Sequence, residues 1–213
     1  RDVVEAEFHA GFYALRGLNK PQVAAKHFAN ILKASTTPLS ASRAYYWLGR
    51  AAQAGGPGKS RDYYAKAASY PSTYYGQLAG ARINNKKINV KYPKPSGSDR
   101  SNFANREAVQ AIKKLEANGH AWRADRMYRS LARVLTDPGE LAILASMAEK
   151  RGNYQLALQV GKLAYARGLD VAALAFPLGA IPKSAIIKGT GKALAYSIAR
   201  QESTFNKAAI SPA

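Results

Sequence analysis

Residues 44–58 read Ala-Tyr-Tyr-Trp-Leu-Gly-Arg-Ala-Ala-Gln-Ala-Gly-Gly-Pro-Gly. On a helix, Trp47 and Leu48 fall on one face, and Gly49 is small enough to let a second helix approach closely. The glycines and the proline at the end of the stretch stop this helix. Residues 59–70 then supply a second helix, so the segment predicts a helical hairpin.

The same pattern recurs on both sides of this hairpin. Residues 3–33 contain two amphipathic stretches joined at Gly-Leu-Asn-Lys-Pro, where glycine ends one helix and proline begins the next. Further helices are predicted over 71–79, 104–118, 121–135, 139–150 and 154–167. Asp137, Pro138 and Glu140 are well placed to begin the helix at 139–150. Helix pairs that recur every few tens of residues are typical of an α-solenoid, so we predict an all-α fold built as a superhelical array of hairpins.

Composition narrows the class of protein. The chain has 213 residues, 47% of them hydrophobic, which is enough to bury a core. Lys and Arg number 32 against 13 Asp and Glu, and the resulting net charge of +19 would attract nucleic acid, an anionic membrane surface or bacterial cell wall. Without cysteine the sequence excludes disulfides and thiol chemistry. No apolar run approaches the ~20 residues of a membrane span, so no transmembrane segment is expected.

A last amphipathic pattern covers residues 193–205. Its apolar face on a helix contains Leu194, Ala195, Ile198, Ala199 and Phe205, and its polar face contains Ser197, Arg200, Gln201 and Thr204. Glu202 falls near the middle of the apolar face. Burial raises the pKa of a carboxyl group, as a general acid near neutral pH requires, so Glu202 is the first candidate for chemistry. The alternative is a core glutamate that pairs with an arginine or caps a neighbouring helix.

The residues around Glu202 carry a resemblance to a known family. Residues 198–205 read Ile-Ala-Arg-Gln-Glu-Ser-Thr-Phe, and Ser-Pro-Ala follows at 211–213. This resembles the opening motif of the catalytic domain in soluble lytic transglycosylases of the Slt type, approximately Ile-x-Arg-Gln-Glu-Ser-x-Phe followed by a Ser and a Pro. Residues 44–51 and 74–79, the latter Tyr-Tyr-Gly-Gln-Leu-Ala, look similar to the helical superdomain of the same enzymes.

With this resemblance the chain divides into four regions. We predict a helical-repeat domain over 1–83, a basic connector over 84–101, a continued helical domain over 102–170, and the start of a lysozyme-like transglycosylase domain over 171–213. The family's Gly-Leu-Met-Gln and Ala-Tyr-Asn-Ala-Gly segments are absent from the sequence. We therefore expect an incomplete cleft and an inactive chain.

The resemblance also implies a function. Glu202 would be the catalytic acid, with Ser203 and Ser211 supporting it through hydrogen bonds, although both serines could equally be helix and turn formers. The reaction would cleave the β-1,4 bond between N-acetylmuramic acid and N-acetylglucosamine in peptidoglycan and leave 1,6-anhydromuramyl ends. It would need no cofactor and no metal ion. The expected location is the periplasm or cell envelope, and the expected partners are glycan strands and other cell-wall proteins.

Other catalytic chemistries find little support in the sequence. His9, His27 and His120 lie far apart without the spacing of a zinc site or of a Ser-His-Asp triad. A glycosidase with two carboxylates would need a second acid within about 5–10 Å, and the nearest acid before Glu202 in the sequence is Asp170.

Two functions without catalysis stay open. In the first, the helical array binds a glycan or a protein and the chain has no activity. In the second, it is a basic nucleic-acid binder, whose strongest feature is the helical stripe of Arg123, Arg126, Arg129 and Arg133. Such a stripe is typical of a solvated face, and no nucleic-acid motif accompanies it, so no specific nucleic-acid partner is expected.

Overall fold

The computed structural model describes residues 2–85, 88, 90–177, 179–181, 184, 185, 187, 189, 191–206 and 208–210. Every regular element in these ranges is helical, which confirms the all-α prediction. The described residues form two compact units. One contains the chain up to residue 90 together with 166–168, and the other contains 91–165 and the residues from 169 onward.

The first unit is a row of helical hairpins. Its helices are α1 (Asp2–Arg16), α2 (Pro21–Ala34), α3 (Pro38–Gln53), α4 (Ser60–Ala68) and α5 (Tyr74–Arg82). Each helix packs against the next one along the chain, and α3 also contacts α5. The turns lie where the glycines and prolines of the sequence predicted them, except that α5 begins at Tyr74 and not at Pro71, because Thr73 caps it.

Aromatic rings pack against glycines in the core of this unit. A Cβ atom on Gly49 would lie 2.6 Å from the ring of Tyr64, and one on Gly11 would lie 2.6 Å from the ring of Phe28. The predicted close approach at Gly49 is therefore confirmed. Trp47 lies between the helices, with its ring centroid 5.1 Å from that of Phe12 and 5.9 Å from that of Phe28.

The second unit continues with helices and one 3₁₀ turn. Its elements are α6 (Gly97–Asn105), α7 (Glu107–Ala117), α8 (Ala121–Val134), α9 (Pro138–Lys150), α10 (Tyr154–Ala166), the 3₁₀ turn (Ala172–Ala175) and α11 (Gly191–Glu202). Its buried core draws on α6 to α10 and on the 3₁₀ turn.

Helix α6 corrects the sequence prediction. The basic connector was expected to continue to residue 101, with helix resuming at about 104, but the helix begins at Gly97. Ser96 and Asp99 form a capping box, in which the Asp99 N–H donates to Ser96 Oγ (3.1 Å) and the Ser96 N–H donates to Asp99 Oδ2 (2.7 Å). This reciprocal cap satisfies two backbone donors at the start of the helix and compensates for the low helix propensity of Gly97.

A polar network joins the middle helices of the second unit. The Tyr128 hydroxyl on α8 donates to Glu116 on α7 at 2.8 Å. Arg151 donates to both Glu116 (2.8 Å) and Asp125 (3.0 Å), and Asn153 donates to Asp125 (3.2 Å). Burial and the hydrogen bond to Glu116 raise the pKa of Tyr128. The hydroxyl therefore keeps its proton and remains a donor in this network.

An ion pair joins α9 to the junction between α6 and α7. Glu140 is only 3% exposed, and its carboxylate accepts from Arg106 Nη2 at 2.8 Å and from Arg106 Nε at 3.1 Å. The Glu140 N–H donates to Asp137 Oδ1 at 2.8 Å, so Asp137 is the N-cap that the sequence predicted. Arg106 is the only described side chain that pairs with this buried carboxylate.

Replacement of Arg106 by methionine is expected to destabilise the second unit by about 3 kcal/mol, because it leaves a buried charge unpaired. The double variant Arg106→Met/Glu140→Met should recover part of this loss, since it removes the charge as well. Urea denaturation followed by circular dichroism measures both effects. Arg100→Met, at an exposed position on the neighbouring helix α6, is the matched control and should change stability by less than about 0.5 kcal/mol. Equal stability of the Arg100 and Arg106 variants would contradict the importance of the pair.

Candidate functional site

Helix α11 carries the predicted catalytic residue at its C-terminal end. Beyond Glu202 the chain turns sharply, since Thr204 and Phe205 have φ angles of 51° and 60°. The N–H groups of Ser203 and Phe205 both donate to Ala199 O at 3.2 Å, which closes the end of the helix. Glu202 is therefore the last residue of a helix whose C-terminus is capped by hydrogen bonds, and it lies beside a tight turn.

The helix is attached to the rest of its unit mainly through polar side chains. Arg200 Nε donates to Ala175 O at 3.0 Å, and the Arg200 guanidinium lies 4.5 Å from the ring centroid of Phe176. The Tyr196 hydroxyl accepts from the Gly179 N–H at 3.0 Å and donates to Ile181 O at 3.1 Å.

The inner face predicted for α11 is found only in part, since Ala195, Ala199 and Phe205 are partly buried but Leu194 and Ile198 are exposed. Within Gly191–Glu202, which the structure describes throughout, no residue is buried. Leu194 and Ile198 of the expected inner face are 47% and 54% exposed, whereas Arg200 of the expected outer face makes the attachment. Carbonyl oxygens at the end of the 3₁₀ turn and beyond it need donors, and Arg200 and Tyr196 supply them.

Glu202 is exposed, so the expected desolvation of this carboxylate is not found. Among the described residues no ion pair or hydrogen bond to its side chain is formed, so the alternative of a paired core glutamate is not found either. Leu194, Ile198 and Glu202 follow one another at intervals of four residues. The carboxylate thus ends a solvent-facing row that begins with two apolar side chains.

The two predicted supporting serines have different outcomes. Ser203 is half-buried, and its hydroxyl donates to Ala199 O at 3.0 Å, which is the bond of a helix-ending serine. Its lone pairs remain able to accept a hydrogen bond. Ser211 lies outside the described residues, so the structure places only Ser203 beside Glu202.

A pocket of about 730 Å³ lies on the other side of α11. Its walls combine aromatic, cationic and small polar side chains, and they are Phe176, Pro177, Lys192, Ala193, Tyr196, Ser197, Arg200, Gln201 and Phe205. Two residues along a helix turn by about 160° around its axis, so Glu202 points away from Arg200 and does not line this pocket. Arg200 lies within the motif around Glu202, but the sequence alone predicts no role for it.

A second carboxyl group, Glu149 at the end of α9, was also missed. It is half-buried, and burial raises the pKa of its carboxyl group. Burial and the nearby charge of Glu149 also raise the pKa of Tyr92. The sequence offers no sign of this influence, because the two residues are far apart along the chain.

The first unit has a groove of about 620 Å³ at one end of its helices. Its lining is rich in hydroxyl groups and also contains Tyr74 and Leu39, which are 69% and 68% exposed. Arg43 and Glu5 form a bidentate ion pair in its wall, with distances of 2.8 and 3.2 Å. Exposed aromatic and aliphatic side chains beside hydroxyl groups favour binding of a ligand with both polar and apolar surfaces.

The arginine stripe of α8 has the arrangement that the sequence predicted. Arg123, Arg126 and Arg133 are exposed, Arg129 donates to Gln159, and the opposite face is buried in the core. Trp122 is 60% exposed, with the Arg123 guanidinium 5.0 Å from its ring centroid. An exposed aromatic ring thus lies beside the arginine stripe, which the sequence did not predict.

Comparison of the chain with protein-family models, curated proteins and solved structures found no match. Among the described residues, no helix combines the length and apolar character that crossing a membrane requires. In the same part of the chain, no group of three or more His, Cys, Asp and Glu side chains is arranged to hold a metal ion.

Burial in the folded state raises the pKa of the Glu149 carboxyl group above its value in the unfolded chain. The stability linked to this group is therefore fully present below the unfolded pKa and is lost as the pH rises through the folded pKa. The neutral variant Glu149→Gln should therefore unfold with a larger free energy than the parent near neutral pH. The difference should vanish below about pH 4, where the carboxyl group is protonated in both states.

Urea unfolding across this pH range measures the effect. Asp170→Asn, at an exposed site outside the helices, is the control and should change stability little at any pH. A parallel pH dependence in the two variants would contradict the assignment to burial of Glu149.

Proposed function

We propose that Glu202 is the catalytic acid of a peptidoglycan lytic transglycosylase and that residues 171–213 belong to a lysozyme-like domain. The observation that carries the proposal is the position of Glu202 within Ile-Ala-Arg-Gln-Glu-Ser-Thr-Phe, at the end of α11, with its carboxylate exposed beside Ile198. An exposed carboxylate without a protein partner can reach a bound glycan. The hairpin row of the first unit would be the start of the family's superhelical array.

The reaction needs one group that first gives and then takes a proton. Glu202 in its acid form protonates the glycosidic oxygen between N-acetylmuramic acid and N-acetylglucosamine, and the bond to C1 breaks. The muramyl N-acetyl group supports the positive charge that develops at C1. The carboxylate then takes the proton of the C6 hydroxyl, whose oxygen closes on C1. No water is consumed, and the glutamic acid is restored.

The enzyme would act in the periplasm or cell envelope on glycan strands. The net charge of +19 supports this partner, because peptidoglycan carries peptide and lactyl carboxylates. The resemblance also implies that turnover needs the Gly-Leu-Met-Gln and Ala-Tyr-Asn-Ala-Gly segments of the family, which complete the cleft around the acid. We therefore expect activity from a form that carries such segments after residue 213.

Replacement of Glu202 by glutamine in that extended form should lower the rate by at least about 100-fold, the usual contribution of a general acid. The assay is mass spectrometry of the fragments released from purified peptidoglycan, in which anhydromuramyl products are lighter by one water than hydrolysis products. Glu107→Gln, at an exposed site in α7, should leave turnover unchanged. Unchanged activity of the Glu202 variant, or products with ordinary reducing ends, would refute the proposal.

A second candidate function is glycan binding without catalysis, and the groove of the first unit favours it. Sugars stack on exposed aromatic rings and form hydrogen bonds with hydroxyl groups. The groove offers the exposed ring of Tyr74 beside several Ser and Thr hydroxyl groups. The groove lies in a unit that does not contain Glu202.

If the groove binds glycan, Tyr74→Ala should reduce the fraction of protein that sediments with insoluble peptidoglycan by about three- to tenfold. Tyr13→Ala is the matched control, because Tyr13 is 62% exposed on α1 but does not line the groove. Equal sedimentation of the two variants and the parent would exclude a role for the groove.

A further inference from the structure

The pocket beside α11 has a chemistry that the proposed reaction does not use. We call it the Arg200 pocket, with the lining residues given above. Its volume of about 730 Å³ lies within the ~300–1,000 Å³ range of small-molecule sites. All of its lining belongs to the second unit, and Glu202 points away from it.

Arg200 is a half-buried cation without a counter-ion. Among the described residues no carboxylate lies within ion-pair distance of it. One of its donors, Nε, is bound to Ala175 O, while the described residues offer no hydrogen-bond acceptor to its two terminal amino groups. Burial lowers the pKa of Arg200 with no neighbouring charge to oppose it. An anion that enters the pocket would offset the free-energy cost of burying this charge and would accept hydrogen bonds from its amino groups.

The charges around Arg200 have one sign. Lys192 also lines the pocket and is exposed, and no Asp or Glu is found among the described lining residues. The bound Nε leaves the outer edge of the guanidinium available, and that edge matches the two oxygens of a planar carboxylate. Carboxylate is therefore the anion whose shape fits best.

The other side chains that line the pocket indicate which kind of molecule carries the carboxylate. Phe176 stacks on the guanidinium, and the rings of Tyr196 and Phe205 meet edge to face at 5.9 Å. The Ser197 hydroxyl donates to Ala193 O at 2.8 Å and keeps its lone pairs for a ligand N–H group. Gln201 adds an amide that can both donate and accept.

We propose that the Arg200 pocket binds the free C-terminal carboxylate of a short peptide whose last residue is apolar. The carboxylate pairs with Arg200, with Lys192 as a second cation at the edge of the pocket. The terminal side chain packs among the three aromatic rings, and the peptide amide contacts Ser197 and Gln201. This site is separate from Glu202 and does not depend on the proposed glycan chemistry.

Two probes that differ only at the carboxyl group test the proposal. They are N-acetyl-alanyl-phenylalanine and its C-terminal amide, each titrated into the whole chain by calorimetry and by NMR. The acid should bind with a dissociation constant below about 10 mM, and the amide should bind at least about tenfold more weakly, because it cannot form the ion pair.

Variants locate the binding. Arg200→Gln should weaken binding of the acid at least about tenfold, and Lys192→Gln should weaken it about two- to fivefold. Lys192 is exposed, so its variant tests the pocket even if Arg200→Gln loosens α11. Arg133→Gln removes an exposed arginine from α8 and is the control for general attraction by the net charge.

Three results would overturn the proposal. These are equal binding of the acid and the amide, no binding of the acid up to about 10 mM, and the same loss of affinity in Arg133→Gln as in Lys192→Gln. The experiment contains no glycan and is repeated with Glu202→Gln, which should bind the acid as the parent does. A negative result therefore leaves the transglycosylase assay unaffected.

Discussion

Arg200 determines which side of α11 faces solvent. Its Nε–H is bound to the carbonyl of Ala175 and its guanidinium plane is stacked on Phe176, so the helix cannot roll without losing both contacts. This fixed orientation places Leu194, Ile198 and Glu202 on the solvent-exposed side of α11 and the Arg200 pocket on the other side. The candidate acid and the candidate peptide site are consequently held on opposite sides of one helix.

The sequence predicted the positions of most helices but not which face of the last one packs. Glycine and proline act locally, and the turns before Pro21 and after Gln53 lie where these residues predict them. The start of α6 was missed because its capping box lies among connector-like residues. For α11 the periodicity did not predict which side packs, because Arg200 and Tyr196 bind carbonyl groups elsewhere in the fold. The Arg200 pocket and the raised pKa values of Glu149 and Tyr92 depend in the same way on the tertiary structure.

The acidic residues of the second unit are used mainly for internal structure. Glu116 and Asp125 pair with Arg151, and Glu140 pairs with Arg106. These pairs remove negative charge from the surface, while most of the α8 arginines remain exposed. The exposed surface of α8 is therefore positively charged.

The network around Arg151 has a consequence for how the second unit unfolds. The carboxylates of Glu116 and Asp125 both accept from Arg151, while Tyr128 also donates to Glu116 and Asn153 also donates to Asp125, so α7, α8 and the start of α10 are joined by one set of hydrogen bonds. Removal of Arg151 takes one donor from both carboxylates at once, and the energies of such linked groups are not additive. We therefore expect these helices to open together rather than one at a time.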